Sequence, residues 1–70
     1  MEALKQLTPL AAIQTWLDCD FGMDEEPALC FAIRKDARIT LSDDEIIDVI
    51  CDALEQDWPA AKCLEALAEA

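Results

Sequence analysis

Four cysteines, sixteen carboxylates and a single serine, Ser42, are the first candidates for chemistry in this 70-residue sequence. No histidine is present, so the commonest proton shuttle near neutral pH is missing. The cysteines, at 19, 30, 51 and 63, stand 11, 21 and 12 residues apart. Zinc sites bring ligands in close pairs, because a tight turn must aim two thiolates at one ion. That spacing predicts no metal site; four cysteines could still pair, but with no secretory signal a reducing cytosol and free thiols are expected. Cys51 and Cys63 sit in apolar surroundings and read as small buried hydrophobes. Asp18-Cys19-Asp20-Phe21-Gly22 resembles the opening of a calcium loop, but Gly22 comes one position early and Leu29 stands where a bidentate Glu belongs. Gly22 is the one glycine, so no glycine-rich phosphate loop exists and no cofactor is expected. A paired-carboxylate acid–base site needs a concave surface that a chain this short scarcely offers. The expectation is a protein that is not an enzyme.

Carboxylates dominate what remains. Sixteen Asp and Glu against five Lys and Arg give a formal charge of −11. Such a surface repels nucleic acid phosphates and anionic lipids, which excludes direct nucleic-acid or membrane binding. No apolar run reaches the roughly 18–20 residues a membrane span requires, and no leader pattern opens the chain. A cytoplasmic protein is expected.

The acids fall in two blocks. Asp18, Asp20, Asp24, Glu25 and Glu26 surround the first loop. Asp43, Asp44, Glu45, Asp48, Asp52, Glu55 and Asp57 follow a second segment, and Arg34, Lys35 and Arg38 form a basic patch between them. The elements that must carry these blocks are helical. Ser42-Asp43-Asp44-Glu45 is a capping box, with three acids at the positive end of a helix dipole. It predicts a helix over 43–56, stopped before Pro59 because the residue preceding proline disfavours helical angles. Ile46, Ile47, Val49, Ile50, Cys51, Ala53 and Leu54 then cover about 200° of its circumference, an arc other helices must bury from two directions. Asp57 is a candidate N-cap for a last helix bearing Leu64 and Leu67. Thr8-Pro9 begins an earlier helix, with Leu10, Ile13, Trp16 and Leu17 at helical spacing. Residues 1–7 suggest a short extra turn with Leu4 and Leu7 as its apolar pair. Asp24-Glu25-Glu26-Pro27 reads as the first turn of a middle helix, with Leu29, Ala32 and Ile33 as its stripe and Arg34, Lys35 and Arg38 as its cationic end, the rival being a hairpin. The fold expected is a single domain, 1–70: an all-α bundle of three to four helices, the alternative being α+β with a hairpin at about 29–41.

Asp44, Asp48, Asp52 and Glu55 recur at spacings of 4, 4 and 3, which puts a negative charge every 5–6 Å along one helix edge, roughly as phosphates follow one another along a nucleic acid strand. Like charges at i, i+4 cost a few tenths of a kcal/mol per pair. The edge therefore suggests a decoy for a basic groove on another protein, with Asp44, Glu45, Asp48, Asp52, Glu55, Asp24, Glu25 and Glu26 as the partner-binding residues. A plainer reading is that the acids keep a small apolar domain soluble.

In size, charge and layout the chain resembles the small inhibitors encoded by bacteriophages and other mobile elements, and is most similar in character to anti-CRISPR proteins of the DNA-mimic kind. The resemblance implies a cytosolic inhibitor in a bacterial host, docked as a monomer or homodimer on a CRISPR effector subunit whose basic groove holds DNA. An acyl carrier reading fails because the only serine, in Leu41-Ser42-Asp43, is needed as a cap. The remaining alternative is a helical interaction or dimerisation module of the antitoxin or adaptor type, using its apolar face and tryptophans.

Overall fold

The structure, a computed structural model, describes residues 3–19 and 22–69. Four helices follow one another: α1 (Pro9–Asp18), α2 (Glu26–Ile33), α3 (Asp43–Gln56) and α4 (Ala60–Glu69). Single 3-10 turns, Ala3–Gln6 and Met23–Glu25, precede α1 and α2. No strand occurs among the described residues, and the fold is the expected small all-α bundle. Met1, Glu2 and Asp20-Phe21 of the calcium-loop comparison lie outside the described residues.

Residues 29–41 show why the hairpin loses. A strand would send Leu29, Phe31 and Ile33 to one face and Cys30 and Ala32 to the other. Instead Leu29, Cys30, Ala32 and Ile33 are all buried while Phe31 is 57% exposed, the signature of a helical period. Past α2 the chain turns on Asp36, whose side chain accepts the Arg38 N–H at 3.0 Å. The apolar alternation of Ile39 and Leu41 belongs to an unpaired segment leading into α3, with Ile39 buried and Leu41 half-buried.

α3 begins and ends on side-chain chemistry. Ser42 Oγ accepts the Glu45 N–H at 3.3 Å, and Ser42 N–H donates to Glu45 Oε1 at 3.0 Å, closing the capping box. At the other end Asp57 adopts the left-handed conformation, φ 61 and ψ 43. Trp58 N–H then reaches back to the Ala53 carbonyl at 3.0 Å, as in a Schellman stop. Asp57 is thus the C-cap of α3 and not the N-cap of α4. Asp tolerates the left-handed region better than most residues, and Pro59 bars Trp58 from helical angles. α4 starts only at Ala60, with the Pro59 carbonyl accepting the Cys63 N–H at 3.1 Å.

α1 opens as the sequence suggests, Thr8 Oγ1 accepting the Ala11 N–H at 3.2 Å with Pro9 in the first turn. Its buried stripe is Ala12, Ile13 and Trp16; Leu10, expected within it, is 41% exposed. α1 packs against α4 and α2, and α3 packs against α4, α2 and α1. Ile13, Leu29, Ile33, Ile46, Ile50 and Leu67 fill the centre. Leu4, from the first 3-10 turn, is buried against them and Leu7 half-buried.

The α3 arc is not covered across its whole width. Ile46, Ile50 and Ala53 are buried, Ile47 and Val49 half-buried, but Cys51 is exposed and Leu54 is 49% exposed. Cys51 is therefore no core thiol, whereas Cys30 and Cys63 are. The physical reason is width: an arc of about 200° exceeds the roughly 100° stripe that a bundle buries. No helix among the described residues is long and apolar enough to cross a membrane.

Candidate protein-docking face

Helical geometry at 100° per residue sorts α3 into three bands. The first, Ile46, Ile50 and Ala53, faces the core. Next to it Leu54, Ile47 and Cys51 span only about 60°, Ile47 half-buried and Leu54 and Cys51 exposed. Asp44, Glu55, Asp48 and Asp52 follow over the next 80° or so, all exposed. Acid and exposed hydrophobe are neighbours on this surface, not opposites.

Not every acid expected at the site is free to meet a partner. Glu45 is held in the capping box by Ser42. Asp43 forms an ion pair with Arg34, Oδ1 to Nη2 at 2.6 Å. Among the described residues, nothing pairs with Asp44, Asp48, Asp52 or Glu55. Asp24, Glu25 and Glu26 lie elsewhere, in the 3-10 turn Met23–Glu25 and the first turn of α2. Acids there suit the positive end of that helix dipole. Glu25 and Glu26 are half-buried, and no hydrogen bond or ion pair among the described residues links this cluster to the α3 edge.

The missing counter-charge has a structural cause. All five cations of the chain are engaged locally. Arg34 also donates to the Leu41 carbonyl at 2.8 Å, so it ties the end of α2 to the entry of α3. Lys35 Nζ donates to the carbonyls of Lys5 and Leu7 at 2.6 and 2.9 Å. Arg38 grips Asp36 along one guanidinium edge, Nε donating to Oδ1 at 3.1 Å and Nη2 to Oδ2 at 2.7 Å. That bidentate hydrogen bond holds the Asp36 carboxyl down to about 2. Lys5 sits 5.8 Å from the centre of the Phe31 ring and Lys62 4.9 Å from that of Trp58. The expected basic patch is therefore a set of internal staples.

Among the described residues no polar or charged side chain is buried, and no group of three or more His, Cys, Asp or Glu is placed to hold a metal ion. Burial pushes the Cys63 thiol up to about 11, and burial with the nearby Asp43 charge does the same for Cys30. Such thiols are poor nucleophiles. An open groove of about 220 Å³ lies between the end of α1 and the α3–α4 corner, lined by Gln14, Leu17, Asp18, Asp57, Trp58 and their neighbours.

The sequence expectation placed Cys51 and Leu54 in the buried arc together with Ile47, and of the three only Ile47 packs against the core. The width of the apolar arc was the signal that some of it had to remain outside. No protein-family model, curated protein or solved structure matches this chain.

Proposed function

We propose that the protein acts by occupancy rather than catalysis, as a small acidic binding module that covers a cationic surface of another protein where nucleic acid would otherwise sit. One observation carries this reading. Asp44, Asp48, Asp52 and Glu55 form an unpaired row about 16 Å long on a helix that bears no cation of its own. Phosphate spacing, one-signed charge and full exposure are what a basic groove recognises in a nucleic acid strand. The charge-assisted contacts would be lost to water were the acids there only for solubility. The DNA-holding groove of a CRISPR effector is the first partner class to test.

Immobilised protein, exposed to lysate from bacteria that carry CRISPR effectors, should retain a nucleic-acid-binding protein that duplex DNA then displaces. Mass spectrometry identifies what is retained. If nothing retained is displaced by DNA at low salt, occupancy of a nucleic-acid groove is wrong. A protein retained equally with and without DNA would favour an interaction module of the adaptor kind, which the exposed Leu54 and Cys51 also suit.

A further inference from the structure

On α3 the bundle leaves Cys51 and Leu54 exposed, beside Ile47, which is half-buried against the core. These three side chains follow i, i+4, i+7 spacing and run along the helix for about 10 Å. The carboxylate row begins about 20° beyond Cys51. An apolar seam with one charged border is the pattern by which one helix receives another lengthwise.

We propose that this seam and its acidic border form one docking face for a basic amphipathic helix of a partner protein, about three turns long. Apolar anchors of that helix lie on Leu54 and Cys51, and Lys or Arg along its flank meets Asp44, Asp48, Asp52 and Glu55. Charge complementarity selects this occupant. A second copy of the chain would bring two unpaired acidic rows together on a protein already at −11, and the five cations that could offset them are engaged within each copy. A bare nucleic acid groove would satisfy the acids and leave Leu54 against polar groups. The inference rests on the acidic-edge reading above and adds the chemistry of the partner element.

The exposed cysteines provide a readout that needs no substitution. Cys51 lies in the seam, while Cys19 is exposed at the end of α1 and serves as an internal control. The probe is a synthetic peptide with Leu at i, i+4 and i+7 and Lys along one flank. Its control has the same composition with the Leu positions scattered around the helix. The ordered peptide should bind at least tenfold more tightly by fluorescence anisotropy, and it should protect Cys51 but not Cys19 from N-ethylmaleimide. Leu54→Asp, with its far-UV spectrum unchanged, should erase that advantage. Equal affinity for both peptides, lost on Asp48→Lys, would overturn the inference and leave the acidic-edge reading standing. No binding of either peptide at low salt would overturn both. Protection of Cys51 without peptide, together with a dimer in sedimentation equilibrium, would show that a second copy is the occupant and overturn the inference as well.

Discussion

Lys35 Nζ donates a 2.6 Å hydrogen bond to the carbonyl oxygen of Lys5, thirty residues earlier in the chain. With a second bond to the Leu7 carbonyl at 2.9 Å, it closes the C-terminal end of the first 3-10 turn over α2. Carbonyls at such an end have no intrahelical partner, and an ammonium group supplies both hydrogen bonds and a favourable charge. Lys35→Met keeps much of the stem and removes the donors. It should lower stability by about 1 kcal/mol, the net worth of an exposed charged contact. Urea denaturation measures the loss. An unchanged midpoint would mean that the turn is held by Leu4 alone.

The covered and uncovered bands of α3 should answer truncation very differently. Ile50 is buried at the centre of the core, so Ile50→Ala leaves a cavity and should cost about 2–5 kcal/mol. Leu54→Ala, one turn further on, should stay within about 0.5 kcal/mol, as is usual for surface positions. Equal losses at the two sites would mean that Leu54 is covered in solution, by a second copy or by a rearranged bundle.

These bands also mark how far the sequence could be read. The capping box at Ser42 and Glu45 and the Thr8-Pro9 entry were legible because each acts within four residues. All of α3, from Asp43 to Gln56, followed from local periodicity. What failed was anything decided by neighbours distant in the chain. Lys35 looked free because its partners are two backbone carbonyls about thirty residues earlier, and Arg34 because its partner is Asp43 on the next helix. Cys51 looked buried because an apolar wheel does not say where the packing stops. Asp57 suits either a helix start or a left-handed stop, and only the six-residue loop from Trp58 N–H back to Ala53 decides between them. For the docking face, the acids were readable as a row. Their apolar border was not, since its exposure depends on where α1, α2 and α4 lie.

Stability should fall on the alkaline side. Cys30 and Cys63 hold their protons to about 11 in the fold, against 9.0 for an ordinary thiol. A raised folded pKa means that their contribution is complete below pH 9.0 and is lost as pH climbs through about 11, where the unfolded chain binds fewer protons. Asp36 has the opposite sign. Its contribution is present above the ordinary 3.8 and disappears as pH falls through about 2, although screening by solvent and salt keeps it small. Added salt should raise the urea midpoint at neutral pH, because it screens the repulsion along α3. Midpoints that rise between pH 9 and 11, or that ignore salt, would contradict this picture.

The carboxylate row of α3 can be tested as a row by reversing it. Asp44→Lys, Asp48→Lys and Asp52→Lys together change exposed side chains and relieve like-charge neighbours, so the fold should persist in the far-UV spectrum. The decisive measurement is the affinity of this triple variant, against the unaltered protein, for a partner captured from lysate and displaced by DNA. A fall of about a hundredfold or more at low salt, roughly 2.7 kcal/mol, is the expected result. An affinity unchanged by the reversal would show that the acids do not meet the partner and would contradict the account.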